Sequence, residues 1–190
     1  MDSINEQILE NSKVLLEIAK KSIDEQLSNR KYINKEDLLQ RYPFLNENRA
    51  TFVTLNLNGN LRGCIGSLLP QRSLLDDLLS NAKAAAFDDP RFHTLSTKEF
   101  KTVEIEISIL TIPIELIYED TNDLKSKIRI GEDGVILKSG MHQATFLPQV
   151  WEQLPNFEEF FSHLCQKAGL EVQCLELNPD IYTYKALKVK

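Results

Sequence analysis

The stretch with the clearest potential for chemistry is Leu57–Ser67, LNGNLRGCIGS. In a strand, successive side chains point to opposite faces. Arg62 and Cys64 then share a polar face that Gly66 continues, while Leu61, Gly63 and Ile65 occupy the apolar one. A thiol becomes a useful nucleophile when a nearby cation favours its thiolate, and Arg62 stands about 7 Å along the strand from Cys64. Glycines at 63 and 66 remove side-chain bulk and let a ligand or another backbone approach. Cys64 is therefore the candidate catalytic residue, as a nucleophile, a redox centre or only the lining of a site. The plain alternatives are a small buried thiol and glycines that mark a bulge.

Other candidates surround this strand. Asp88-Asp89-Pro90-Arg91-Phe92 carries an arginine whose planar fork suits a carboxylate or phosphate; the alternative is an Asp–Arg pair that fixes the loop, with Asp88 and Asp89 both available to cap the turn. Glu104 and Glu106 share one face of a later strand, and Glu106 is expected as the partner of Arg62 in preference to a general base. Such pairing neutralises the charge that would activate the thiol. His142, in a turn, is a further candidate ligand contact, with a solvated turn as its plain reading. The candidate ligand-binding set is thus Arg62, Gly63, Gly66, Asp89, Arg91, Glu106 and His142. His93, His142 and His163 lack metal-ligand spacing, and no metal site is expected. Nucleotide-loop, hydrolase-elbow and zincin motifs are absent from the sequence, and no cofactor is specified.

The elements that hold these residues follow from periodicity. Ser3-Ile4-Asn5-Glu6 is a capping box, and apolar spacing behind it predicts one long helix over 4–28. Asn34 caps a short helix over 35–41 that Pro43 ends. Residues 50–57 and 61–66 alternate as a hairpin. A three-residue loop at 58–60 sets Leu57 opposite Leu61, Asn56 opposite Arg62, Thr54 opposite Cys64 and Val53 opposite Ile65. Ser73 caps a helix over 74–87, and Ser96 with Glu99 makes a second capping box. Strands are expected at 102–112, 114–118, 128–130, 134–138, 143–147 and 181–189. A helix over 157–168 ends at Gly169, with Cys165 inward and His163 exposed. Leu147-Pro148-Gln149 and Trp151 read as an aromatic plug or as an anchor between lobes. The pattern is α+β with mostly antiparallel pairing, and residues 120–150 form a smaller β lobe inside one domain spanning 1–190.

At 190 residues the chain can bury a sizeable core without a disulfide or metal staple. Its net charge of −6, from 22 basic and 28 acidic residues, disfavours a broad nucleic-acid surface. No apolar run is long enough to span a bilayer, and the start is not a signal pattern, so a cytoplasmic protein is expected. Cysteines 64, 165 and 174 are odd in number and lack a C-x-x-C, which predicts reduced thiols.

TFVTLNLNGNLRGCIGSL, AFDDPRF, VEIEISIL, GVIL, ATFLPQVWEQLP and KAGL occur in this order over about residues 50–170. Together they resemble the AmmeMemoRadiSam system protein A family (the AMMECR-one domain), and the ATFLPQVWEQLP wording resembles its bacterial branch. The resemblance implies a larger, mostly antiparallel sheet flanked by helices, a smaller β lobe, and a cleft between them that gathers the signature residues. It also implies work alongside a Memo-like (dioxygenase-like) protein and a radical SAM protein. The expected role is an accessory enzyme or substrate-handling subunit binding a small or anionic ligand, with the reaction open. The alternative is a non-catalytic scaffold receiving a peptide or partner loop; a regulatory nucleic-acid-binding role ranks below both.

Overall fold

The computed structural model describes residues 3–190. Its architecture is α+β, with helices and two four-stranded sheets divided between two compact units. The first unit comprises the residues through Leu110 together with Leu187–Lys190; the second is Thr111–Ala186.

In the first unit, α1 (Ser3–Glu10) and α2 (Ser12–Ser28) replace the single helix expected over 4–28. The break is Asn11, whose side-chain amide donates to the Gln7 carbonyl at 2.8 Å. Asparagine competes in this way with the helical ladder. The N-terminal capping position of α1 lies outside the described residues. Then follow α3 (Lys35–Arg41), capped by Asn34 as expected, β1 (Thr51–Leu57), β2 (Asn60–Gly66), α4 (Leu74–Phe87), the single turn α5 (Thr97–Phe100) and β3 (Glu104–Leu110). The Ser96–Glu99 capping box forms as read from sequence.

The first sheet has the order β2-β1-β3-β8, where β8 is Ala186–Val189. β1 runs antiparallel to both β2 and β3. One face of this sheet, with Val53, Leu55, Ile107 and Ile109, is sealed by α2 and α4. Each of those four side chains is fully buried, a gain of roughly 1.5–3 kcal/mol apiece.

The hairpin register differs from expectation near its tip. Val53 faces Ile65 and Thr54 faces Cys64 as predicted, but Asn56 pairs with Leu61 and Leu57 with Asn60. Asn58 and Gly59 both have positive φ, 53° and 77°, which makes a two-residue turn of the type asparagine-glycine favours. Turn chemistry therefore sets the tip, burial sets the far end, and the mismatch is absorbed by a bulge at Arg62.

The second unit contains β4 (Ile114–Glu115), α6 (Thr121–Lys127), β5 (Gly134–Ser139), β6 (His142–Phe146), α7 (Phe157–Lys167) and β7 (Asp180–Tyr184), with sheet order β4-β7-β5-β6. It is wider than 120–150, because α7 packs its phenylalanines into the same core as β5, β6 and β7. No strand forms at 128–130; instead Asp120 caps α6 by accepting from the Asp123 amide at 2.8 Å. Trp151 is an internal plug, stacked on Phe160 with centroids 3.5 Å apart and donating to the Asp133 carbonyl at 2.8 Å. His163 is exposed as expected. The strand expected over 181–189 divides at Lys185: its first half is β7 of the second sheet and its last part is β8 of the first.

The expectation of three reduced thiols is overturned. Cys165 and Cys174 form a disulfide inside the second core. Two cysteines nine residues apart showed no sequence signal of pairing; a turn after Gly169 folds the chain back and brings their Cα atoms to 5.8 Å. Cys64 is the free cysteine.

Candidate functional site

Arg62 is the residue without a partner in the β1–β2 ladder. A bulge re-aims its side chain, and this one sends the guanidinium to Glu99 of α5. Arg62 Nε donates to Glu99 Oε1 at 2.8 Å, and Nη2 donates to the His93 carbonyl at 2.8 Å. The arginine side chain is only 12% exposed. Its hydrogen bonds, more than any other cause, lower the Glu99 pKa to about 2, with the Ser96 bonds adding to the effect. Glu99 thus serves twice, as helix cap and as arginine partner. The expected Arg62–Glu106 pair does not form. Glu106 lies on β3 beyond the intervening β1 and pairs with Lys190 Nζ at 2.7 Å.

Cys64 sits mid-strand on β2, the outer strand of its sheet, with a half-buried side chain. Its neighbour across the ladder is Thr54, whose hydroxyl donates to Cys64 Sγ at 3.3 Å. Thr54 in turn faces Glu106 on β3. A row of sulfur, hydroxyl and carboxylate therefore crosses three strands on the face opposite the helices.

The backbone of Cys64 is gripped from outside. Its N–H donates to Asp89 Oδ2 at 2.8 Å, and its carbonyl accepts from Arg91 Nη2 at 3.1 Å. Arg91 also holds Asp89 through Nε at 3.0 Å and Nη2 at 2.7 Å. The Arg91 bonds hold the Asp89 carboxyl well below the usual carboxylate range, and Asp89 pushes Arg91 up in return. Asp89 is buried while half of Arg91 remains exposed. Both guanidinium groups lie over the Phe92 ring, 5.8 Å and 5.5 Å from its centroid for Arg62 and Arg91. The Asp–Arg pair that fixes the loop, one of the two readings of DDPRF, is present; so is an exposed arginine edge, since Nη1 of Arg91 takes no part in these bonds.

Gly63 and Gly66 are explained by packing. A Cβ on Gly63 would strike the backbone carbonyl of Ala85 on α4, and one on Gly66 would strike the Phe52 ring and the Thr51 carbonyl. Gly63 faces the helix and is buried, so it lines no ligand surface. The alanines of α4 and this glycine are two sides of one close approach. His142 belongs to the second unit, where its Nδ1 bonds the Ala168 carbonyl at 2.9 Å near the end of α7.

Four contributors escaped the sequence reading: Thr54 as the thiol's donor, Glu99 as arginine partner, Phe92 under both guanidinium groups, and Lys190. A fifth feature is a buried polar network at the other end of the hairpin. Asp77 of α4 accepts from the Thr51 amide, the Thr51 hydroxyl, Ser67 and Asn81, each at 2.8 Å, and from Arg72 at 2.7 Å. The i, i+4 spacing of Asp77 and Asn81 was the available signal, hidden because both stand in a run read as apolar helix. Among the described residues, no group of three or more His, Cys, Asp or Glu is placed to hold a metal ion, and no helix is long and apolar enough to cross a membrane.

Comparison with known proteins places the chain in a family. A protein of Methanothermobacter thermautotrophicus is 36% identical over 181 residues, covering 93% of this chain and 91% of that one. A protein of Saccharolobus solfataricus is 38% identical over 186 residues, covering 92% and 77%. The crystal structure of an uncharacterized protein from Pyrococcus horikoshii superposes with a TM-score of 0.75 at 33% identity, covering 94% of this chain and 90% of the other. These relatives are archaeal, which overturns the expected bacterial branch. The AMMECR1 family model matches residues 16–189, and with a bulged arginine, a gripped cysteine strand and the fold all on the matched segment, the chain belongs to the AMMECR1 family.

Proposed function

We propose that this AMMECR1-family protein is an accessory enzyme or substrate-handling subunit that acts with Memo-like and radical SAM proteins. It takes a small or anionic ligand on the outer face of the first sheet. The observation that carries this reading is the partly buried Cys64, its thiol beside the Thr54 hydroxyl and in line with Glu106, with its backbone held by Asp89 and Arg91. A site needs reactive groups on rigid elements, and this one rests on a strand rather than a loop. The Nη1 edge of Arg91, outside its bonds to Asp89 and Cys64 and on a half-exposed side chain, is the group offered to an anionic ligand. Arg62 is assigned a positioning role, since Glu99 and the His93 carbonyl take its Nε and Nη2, although its buried Nη1 has no hydrogen-bond partner among the described residues.

One observation favours the scaffold alternative. Each arginine is neutralised by its own carboxylate, Arg62 by Glu99 and Arg91 by Asp89, so the cluster offers little net charge to an anion. The two readings part in one experiment. Wild-type and Cys64→Ser proteins are co-purified with the Memo-like and radical SAM proteins, and carried ligands are weighed by native mass spectrometry. The subunit reading expects a bound mass in the wild type that Cys64→Ser and Arg91→Ala lose. Complexes retained by both variants with no bound mass in any sample favour the scaffold; absence of both complexes and mass overturns both readings.

A further inference from the structure

The first sheet ends at β2, whose outer edge has no neighbouring strand in the sheet order. In an antiparallel pair, facing residues alternate between hydrogen-bonded and non-hydrogen-bonded positions. Thr54 and Cys64 form a non-hydrogen-bonded position: the Cys64 N–H and C=O point away from β1, to Asp89 and Arg91. By the same alternation Gly66, two residues on, presents its backbone outward as well. Such a row of free donors and acceptors is a template for strand pairing with another chain. A second copy of this protein, which carries the same edge, is the partner always present at matching concentration.

We infer that Asp89 and Arg91 act together as a surrogate strand that closes the β2 edge against pairing with β2 of a second copy. The carboxylate supplies the acceptor that a neighbouring C=O would offer, and the guanidinium supplies the donor of a neighbouring N–H. The two side chains are locked to each other by two further bonds at 3.0 and 2.7 Å, so they present both groups in one fixed fork. The carboxylate is buried, which removes water as a competitor for the Cys64 amide. Pro90 between them restricts the preceding residue, Asp89, to extended backbone, and the Asp89 side chain also accepts from the Arg91 amide at 3.1 Å. The fork sits near the middle of the seven-residue strand, so an incoming strand cannot form an uninterrupted ladder along it. The bulge at Arg62 twists the remaining part of the edge and adds to the protection.

Two measurements test this. Backbone hydrogen–deuterium exchange of the wild-type chain, resolved by residue, should show the Cys64 amide protected to the level of the central β1 amides despite its outer position. Exchange as fast as that of exposed loop amides overturns the inference. Second, the Asp89→Ala, Arg91→Ala double variant is followed by circular dichroism and by size-exclusion chromatography with light scattering over a hundredfold concentration range. The expected result is native-like ellipticity, a Cys64 amide exchanging at least tenfold faster, and mass that rises with concentration while the wild type does not change. A folded variant whose mass matches the wild type at every concentration overturns it. Should the double variant not fold, Arg91→Ala alone, which keeps the Asp89 acceptor for the Cys64 amide and frees the Cys64 carbonyl, is read by mass: a rise with concentration supports the inference, and a mass equal to the wild type at every concentration overturns it.

Discussion

Replacing Gly63 by alanine separates a packing glycine from a ligand-docking one. A Cβ there would lie 3.2 Å from the carbonyl carbon of Ala85, and the carbonyl oxygen, a bond length of ~1.2 Å away, lies on the near side. Restoring ordinary contact needs β2 and α4 to part by more than about 1 Å, and a gap of only ~0.5–1 Å already forfeits a quarter to a half of each dispersion contact it opens. The blocking atom is helix backbone, flanked by the fully buried Leu78 and Ala82, so side-chain rearrangement gives no relief. Overpacking of this kind costs 1–3 kcal/mol, and backbone blockage puts this case near the upper value, about 3 kcal/mol. For a chain of this size that lowers Tm by roughly 6–12 °C. Gly59→Ala is the comparison: nothing lies within 4 Å of its Cβ, but its φ of 77° leaves strain of about 1–2 kcal/mol. Differential scanning calorimetry should rank Gly63→Ala below Gly59→Ala, and Ala85→Gly should not rescue it, since the obstructing carbonyl remains. A Gly63→Ala protein as stable as wild type would refute the packing argument.

Three further outcomes are expected. Because Cys165 and Cys174 are joined, thiol titration of the folded, unreduced protein should find one reactive group, and Cys64→Ser should abolish it; the Cys165→Ala, Cys174→Ala variant should lose about 2–3 kcal/mol of stability in urea unfolding, the loop-closure value for this spacing. Asp89 and Glu99 have depressed folded-state values, so their stabilisation is complete above the ordinary carboxylate range and is lost as pH falls from about 5 toward 2; Glu99→Gln should flatten part of that acid limb in chemical-denaturation midpoints, and an unchanged limb would count against the Arg62–Glu99 pair. Asp77→Ala leaves the buried Thr51 amide without its acceptor, while Asn81 and Arg72 keep bonds to Thr51 and Ser67, and should cost roughly 1–3 kcal/mol, seen as a lower urea midpoint; an unchanged midpoint would mean that water replaces the carboxylate.

Legibility in the sequence followed the length scale of the cause. Helix caps at Asn34, Ser73 and Ser96 depend on residues three apart, and each forms as read. The face shared by Thr54 and Cys64 depends on burial alternation and was also legible. The tip of the same hairpin was not, because turn preference and burial asked for different registers and only a bulge satisfies both. Glu106 was the nearest acidic candidate on the expected strand face, yet Glu99 won the arginine, since the bulge moved Arg62 off that face. The α6 helix carries one buried residue, Leu124, too few for a periodic signal, although its Asp120 cap was there to be read. The disulfide depends on a chain reversal after Gly169 that no spacing rule contains. The signature glycines were conspicuous, but the reason for Gly63 lay on a helix some twenty residues away and that for Gly66 on the facing strand β1.

The passage of the chain from one sheet to the other has a consequence for biosynthesis. β3 is made well before its outer neighbour β8, with all of Thr111–Ala186 synthesised in between. Until then a nascent first unit lacks the strand that brings Val189 into its core and Lys190 to Glu106. The growing polypeptide therefore exposes an incomplete sheet on the ribosome until Ala186–Val189 has been made and closes it. Removing Leu187–Lys190, and with them the Val189 core contact and the Lys190–Glu106 pair, should leave a product prone to associate through β3.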